Sequence, residues 1–338
     1  MEPLVQPVGI DVSKKTLDIA LPTAARVLSK KGSNTAQEFP ALLAWMQAHA
    51  SGPLHICLEP TSTYHDALVA FLLERGITVS LVPPSRVAAF RRSEGMRHKT
   101  DRHDARLLAT FCQQKRPAAF VPVPDDLMHL RVLLGRLDQL DQMQQQERNR
   151  LENGRLPASI CEQLAEHRQQ LLTWRTQLMK TIRAWVSEHE PIAQAVRRLQ
   201  SLKGIGELSA WYLVSVIGPD ASRFPSAYQL AIYLGLDVVR HDSGTSVHKI
   251  GHISKEGSPR IRRLLGMCAL VSKRWDPDMR QWAQELTARG KKSKQVRVAV
   301  MRKLLYLAYG VLKSQQTYDP VRAWPSRHPV QQEERPAA

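Results

Sequence analysis

Val8-Gly9-Ile10-Asp11-Val12-Ser13-Lys14-Lys15-Thr16-Leu17-Asp18-Ile19-Ala20-Leu21 reads as two adjacent β-strands. An apolar run ends at Asp11, turns through Ser13-Lys14-Lys15 and resumes with alternating apolar positions, the period of a strand with one buried face. Val27 to Lys31 adds a third strand that closes a meander, and Asn34-Thr35 is placed to cap a helix holding Phe39, Leu42, Leu43, Trp45 and Met46. His55-Ile56-Cys57-Leu58-Glu59 is a short buried strand ending in a carboxylate. A helix follows from Asp66 to Arg75 with Gly76 as its stop. Ile77 to Val82 then forms a further strand, broken by Pro83-Pro84.

The next informative stretch is Lys99-Thr100-Asp101-Arg102-His103-Asp104-Ala105-Arg106, continued by Leu107, Leu108, Phe111 and Cys112 at helical spacing. Asp101 and Asp104 stand three apart, so on a helix they share one face. With Thr100 as N-cap they would also favour the helix dipole, a purely structural role. The element order is β-β-β-α-β-α-β-α, a mixed α/β sheet with the order of an RNase H-like fold. In such a fold, acids from the first strand, a later strand end and a last helix meet at one edge. Asp11, Glu59, Asp101 and Asp104 occupy those places. Four oxygen donors suit hard divalent cations, and two Mg²⁺ ions could hold the attacking and leaving oxygens of a phosphodiester. Each acid has a plainer alternative: a strand-end turn for Asp11, a solvent-facing side chain for Glu59, a helix start for the aspartate pair.

The 338 residues carry a net charge of +17 and are 43% apolar, enough for real cores and more than one domain. Such positive charge points to a polyanion partner, nucleic acid before membrane. No apolar run is long enough to span a bilayer, and the N-terminus lacks a signal pattern. Cys57, Cys112, Cys161 and Cys268 are scattered without metal-finger or CxxC spacing, so buried thiols in a reducing cytoplasm are expected. The histidines show no zinc-hydrolase pairing.

Residues 1–122 therefore read as an α/β metal-binding domain, and Pro122 and Pro124 mark a linker. Residues 123–196 become helical. Leu127, Leu130, Leu134 and Leu137 form a seam that Asp141 interrupts, and Asn153-Gly154 and Pro157 mark a turn. A second helix carries Ile160, Leu164, His167, Leu171, Trp174, Leu178, Thr181 and Trp185 at heptad spacing. Two such helices make a coiled-coil αα-hairpin, either within one chain or as a dimer contact, and Trp174 and Trp185 are expected as packed seam residues rather than stacking platforms for bases.

Residues 197–318 read as mainly helical. Lys203-Gly204-Ile205-Gly206 between two helices fits a helix-hairpin-helix, whose glycines let backbone N–H groups approach a phosphate. A polar, glycine-bearing stretch follows, Arg240-His241-Asp242-Ser243-Gly244-Thr245-Ser246-Val247-His248-Lys249. Ser243 is there a turn residue or, beside metal-polarised phosphate, a nucleophile. Lys255, Arg260, Arg262, Arg263, Lys291 and Lys292 are further candidates for phosphate contact, the last two feeding an amphipathic helix with Val296, Val300, Leu304 and Leu307. Residues 319–338, rich in proline, are expected to be a disordered tail.

Gly9-Ile10-Asp11, Cys57-Leu58-Glu59-Pro60-Thr61, Lys99 to Ala105, Gly204-Ile205-Gly206 and Asp242-Ser243-Gly244-Thr245-Ser246 together resemble the DEDD transposases of the IS110 insertion-sequence family. The motifs come in the family's order from Val8 to about Lys313. The resemblance implies a RuvC-like domain, a coiled-coil stalk and a C-terminal transposase domain. It also implies that Asp11, Glu59, Asp101 and Asp104 bind Mg²⁺ and that Ser243 attacks DNA to give a covalent DNA–serine intermediate. Thr245 stands where relatives have serine, which leaves its helper role open. Donor and target double-stranded DNA, an element-encoded bridge RNA, and a homo-oligomer (dimer or tetramer) with active sites composed across protomers are the partners it implies. The setting it implies is a bacterial cytoplasm, at the nucleoid. Two rivals remain: a Holliday-junction nuclease using metal-activated water, which needs no Ser243, and a non-catalytic architectural protein. Four placed acids argue against the latter, since carboxylates beside DNA repel phosphate unless a cation bridges them.

Overall fold

A computed structural model of the chain describes residues 5–60, 62–95, 101–152, 154–243 and 247–328. The chain divides into two compact units, Met1–Pro122 and Val123–Ala338. The first is built from β1 (Gln6–Val12), β2 (Thr16–Pro22), β3 (Val27–Ser33), α1 (Phe39–His49), β4 (Leu54–Leu58), α2 (Asp66–Glu74), β5 (Thr78–Leu81), α3 (Pro84–Ser93) and α4 (Asp101–Lys115). Its five-stranded sheet has the order β3-β2-β1-β4-β5. β1 pairs antiparallel with β2 and parallel with β4, and β4 pairs parallel with β5. Helices cover both faces. Ile56 and Leu58 pack with Phe39, Leu42 and Met46 of α1 and Leu68 and Leu72 of α2. Cys57, between them, points to the other face and packs with Phe90, Leu107, Leu108 and Cys112. Strand alternation thus feeds two cores. The architecture is consistent with an RNase H-like domain.

Two local expectations for this unit are corrected. α1 has no side-chain cap from Asn34 or Thr35. Asn34 instead donates to the carbonyls of Ser13 and Tyr64, at 3.0 and 2.9 Å, pinning the turn between β1 and β2. Pro83-Pro84 ends β5 but also starts α3, because proline in the first helical turn forfeits an N–H that has no intrahelical partner. Lys99 and Thr100 lie outside the described residues, and with them the proposed cap of α4.

The second unit is mostly helical: α5 (Asp125–Glu152), α6 (Ala158–Glu188), α7 (Glu190–Gln200), α8 (Glu207–Ile217), α9 (Ala227–Tyr233), β6 (Val238–Ser243), β7 (Val247–Ile253), α10 (Pro259–Trp275), α11 (Pro277–Ala288), α12 (Ser293–Ser314) and α13 (Pro320–Ala323). α5 and α6 form an antiparallel hairpin with Leu127, Leu130, Leu134, Leu137 and Leu140 buried on α5. Asp141, which breaks the apolar seam in sequence, ion-pairs with Arg175 across the hairpin at 2.7 Å. Trp174 is 43% exposed, so it does not pack in the seam: Leu171, Ile182 and Val186 are the buried residues of α6. Trp185 is half-buried and stacks between His129 and His189.

Two further corrections concern the end of the chain. The stretch around Ser243 is a β-hairpin, β6 paired antiparallel with β7, although its polar, glycine-bearing composition reads as loop. The chain from Asp319 is ordered as far as His328. Asp319 caps α13, and Trp324 is buried, its indole N–H donating to the Tyr318 hydroxyl at 3.0 Å. Tryptophan burial outweighs the local proline content. Residues 329–338 lie outside the described residues.

Gly9 decides how α4 meets the sheet. A Cβ there would stand 2.0 Å from the Ala105 carbonyl oxygen and 2.4 Å from the Ala109 nitrogen, backbone atoms that cannot rotate away. Gly9→Ala is expected to destabilise the protein by about 3 kcal/mol. Gly135→Ala, inside α5 where a Cβ meets nothing within 4 Å, should stabilise it by about 0.5–1 kcal/mol. Urea denaturation followed by circular dichroism compares them, and an unchanged midpoint for Gly9→Ala would contradict the close contact.

Candidate active site

Pairing and helix direction bring the sequence-predicted acids to one edge. Ile10 stands opposite Leu58 in parallel register, so Asp11 and Glu59, each one residue further, leave adjacent strands at the same end. α4 runs antiparallel to both strands: its Ala105 lies over Gly9, whereas Cys112 donates to the carbonyl of His55, nearer the start of β4. The helix therefore starts at the sheet edge where Asp11 and Glu59 emerge. Asp101 precedes Ala105 by about 6 Å of helix rise, and Asp11 follows Gly9 by about 6.6 Å of strand. Buried Ala105 and Ala109, with Gly9, give the seam its closeness.

Carboxylates brought to one edge repel one another unless a cation stands among them. Arg91, from the α3 that the sequence did not reveal, supplies one: its Nη2 lies 2.7 Å from Asp104 Oδ1, with the two side chains 21% and 13% exposed. Asp11 and Glu59 are half-buried. An all-oxygen donor set drawn from separate segments fits a hard divalent cation, in keeping with a DEDD-type site.

A softer cluster lies deeper in the same helix–strand seam. The ligand atoms of His55, Cys57 and Cys112 all lie within 4.8 Å of one another. These cysteines read as isolated in sequence because the fold, not the spacing, joins them. Packing already satisfies the group: His55 Nε2 contacts Ser80 Oγ at 2.8 Å and the Cys112 thiol donates to the His55 carbonyl. Its hydrogen bond with Cys112, together with burial, pushes the Cys57 thiol far above the ordinary range, so it stays protonated.

In the second unit Ser243 ends β6, opposite Val247 in the hairpin. Asp242 pairs in register with His248, and His241 with Lys249, so the hairpin assembles basic residues beside the serine motif that linear reading did not group with it. Gly244, Thr245 and Ser246 lie outside the described residues.

The nucleic-acid candidates separate by environment. Lys203, Lys255, Arg263, Lys291 and Lys292 are exposed. Gly206 begins α8 with open space around its missing side chain. Gly204 has φ +105°, and a Cβ would come within 2.7 Å of the Cys268 carbonyl of α10, so helix packing accounts for it without a phosphate. Arg260 is engaged internally, ion-paired with Asp138 at 2.7 Å and Asp141 at 3.4 Å over the Tyr212 ring. Arg262 Nη1 donates to the carbonyls of Leu234, Glu256 and Gly257, fastening the loop before α10. Both arginines therefore have partners within the fold.

The RNase H-like unit with its acidic edge, followed by a mostly helical unit in a chain of net charge +17, fits an enzyme acting on DNA. Family comparison gives the particular lineage. The DEDD transposase model of IS110 type matches residues 8–154, and the model described as "Transposase IS116/IS110/IS902 family" matches residues 196–284. The chain is 31% identical over 315 residues to the pilin gene-inverting protein of Moraxella lacunata, covering 92% of this chain and 97% of that one, and equally similar to the protein of that name from Moraxella bovis. It is 30% identical over 121 residues to an uncharacterized 43.6 kDa protein of insertion element IS110 from Streptomyces coelicolor, 36% of this chain and 29% of that one. The chain belongs to the IS110 transposase family. Among the described residues no helix is long and apolar enough to cross a membrane.

The two kinds of arginine predict opposite phenotypes. Arg260→Ala should cost about 2 kcal/mol of stability by removing the cation that Asp138 and Asp141 share and leaving each with one partner. Arg263→Ala should shift stability by no more than about 0.5 kcal/mol while lowering the salt slope of DNA binding by about one. Thermal melts paired with salt-dependent binding to duplex DNA read both; a weakened salt slope in Arg260→Ala at full stability would reverse the assignment.

Proposed function

We propose that the protein is a Mg²⁺-dependent serine-type DNA transposase and recombinase of an insertion sequence, directed to donor and target DNA by an element-encoded bridge RNA. The observation that carries the reading is the shared sheet edge of Asp11, Glu59, Asp101 and Asp104, reached by α4 lying antiparallel on β1 and β4. These acids would hold two Mg²⁺ ions, which when bound neutralise charge growing on the phosphate. Ser243 is the nucleophile. Its Oγ forms a bond to phosphorus, the bond from phosphorus to the leaving deoxyribose oxygen breaks, and the serine hydroxyl proton is lost as that oxygen gains one. Attack by a DNA hydroxyl on the phosphoserine reverses the step and rejoins strands. Membership of the family supports this role for Ser243, as do His248 and Lys249, which pair across the hairpin with its neighbours Asp242 and His241.

Around this chemistry the proposal has a domain order. Residues 1–122 are the RuvC-like domain, 123–196 a coiled-coil stalk, and 197–318 the transposase domain with a helix-hairpin-helix at Gly204-Ile205-Gly206. The stalk serves self-association into a dimer or tetramer whose active sites draw on more than one protomer. Exposed Lys203, Lys255, Arg263, Lys291 and Lys292 contact phosphate.

Incubation with Mg²⁺ and plasmid DNA carrying the element and its flanks should give a denaturation-resistant protein–DNA adduct. Ser243→Ala should lose adduct and strand joining together. Asp101→Asn with Asp104→Asn should lower the cleavage rate roughly 100-fold or more. Cleavage that persists in Ser243→Ala without adduct would instead indicate a nuclease using metal-activated water, and purification without RNA would remove the guide.

A further inference from the structure

Beneath the β6–β7 hairpin the second unit contains a cavity of about 770 Å³. Its wall is apolar: Val238 and Ile253 from the two strands, Leu286 from α11, and Val298 and Ala299 from α12. Its rim is cationic, with Lys291, Lys292 and Lys294 at the head of α12 and Arg302 two turns further on. Among the described residues that line it there is no carboxylate. His252, an exposed ring able to stack, stands at the mouth. The Lys292 N–H at the start of α12 is taken by the Gln295 side chain at 2.9 Å, so that N–H is not offered to an anion.

An apolar slot under a ring of cations is the inverse of what a buried ion or an acid-rich ligand requires, because the floor offers nothing polar to satisfy it. It matches a flat heteroaromatic ring tethered to phosphates: the ring takes the apolar wall and the phosphates stay at the rim. The volume lies in the range of pockets that enclose small organic groups, about 300–1,000 Å³. Position narrows the choice further. Val238 and Ile253 are the base of the hairpin whose other end is Ser243, about 16 Å away along five steps of strand. A DNA strand with its phosphate at Ser243 would need only a few nucleotides to span that distance to the cavity.

We propose that the cavity receives one unpaired deoxynucleotide of the DNA strand, seating its base against Val298 and Ala299 and its phosphates on Lys291, Lys292 and Lys294. The site rests on the DNA-recombinase reading above and adds to it a place where a base leaves the stack. Seating the base against both strands of the hairpin also holds the Ser243 segment to the DNA. Extruding a base is least costly where pairing is already broken, so the cavity selects distorted or partly opened duplex over intact duplex.

The test uses the full-length protein and two short fluorescein-labelled DNA duplexes, one fully paired and one with a single unpaired 2-aminopurine. Wild type should bind the bulged duplex about tenfold more tightly, and 2-aminopurine emission should rise as the base unstacks. Ala299→Phe, which fills the floor, should bring the two affinities together without weakening the paired duplex. Ser293→Trp at the exposed mouth should do the same without touching the packed wall, so a misfolded Ala299→Phe does not leave the idea unexamined. Lys291→Gln, Lys292→Gln and Lys294→Gln combined should weaken both duplexes and flatten their salt dependence. Equal affinity in wild type, or a preference that survives both filling variants, overturns the proposal. So does a preference confined to the same bulge made in RNA. Ser243→Ala separates the two readings: it should keep the bulge preference while losing the DNA adduct. A missing preference with the adduct intact sinks only the pocket, and the reverse sinks only the chemistry.

Discussion

The contact of α4 with β1, backbone against backbone at Gly9, is the constraint on which the first unit depends. A helix normally rides on a sheet at the distance set by its side chains. Here Gly9, Ala105 and Ala109 remove those side chains, and the approach is so close that even one methyl would overlap the helix carbonyls. Packing complementarity of this kind fixes axial position as well as distance. A helix that slid by one turn would place Arg106 or Leu108 against the strand instead. The position of the two aspartates at the sheet edge follows from an apolar contact one turn below them, in a part of the fold that has no chemistry of its own.

A polar network plays the corresponding part in the second unit. Asp138 and Asp141 of α5 meet Arg175 of α6, Arg260 of α10 and Tyr212 of α8, with the Tyr212 hydroxyl 2.5 Å from Asp138. Four helices thereby share one set of charges. Burial, together with the Asp138 hydrogen bond, pushes the Tyr212 phenol far up, so it stays a donor at any physiological pH. Apolar seams tolerate sliding, since one leucine resembles another, whereas a charged network has one register. The hairpin's angle to the body of this unit is therefore set by the acids that interrupt its leucine repeat.

Much of the first unit was legible because its signals are local. Strand alternation, the stop at Gly76 and the stripe behind Asp101 each sit within one element, and together they give the element order of a meander followed by alternating strands and helices. What was missed depends on context. Pro83-Pro84 looks like punctuation until its second residue is seen at the start of α3, and with that helix went Arg91, the cation beside Asp104. The hairpin around Ser243 was hidden because the consecutive polar residues Arg240-His241-Asp242 and His248-Lys249 break the alternation of a strand, a composition shared with loops. Trp174 has heptad spacing yet faces outward, because the α6 seam drifts to Ile182 and Val186 as an undistorted helix drifts from a seven-residue repeat.

The basic residues show the same limit in chemical form. Net charge of +17 says that phosphate is near, but not which cation touches it. Arginine presents five donors in a rigid fork, and that geometry is as useful inside a protein as on DNA. Arg262 gathers three carbonyls, Arg260 bridges two aspartates over a tyrosine ring, and Arg91 holds Asp104. Lysine, a compact charge on a flexible stem, gains less from such fixed arrangements and stays at the surface with its head in water. The residues that remain outward at the loop before α10 and the head of α12 are accordingly Lys255, Lys291, Lys292 and Lys294. In this chain Arg91, Arg260 and Arg262 are wired into the fold, while the four lysines stay exposed beside exposed Arg263, Arg289 and Arg297.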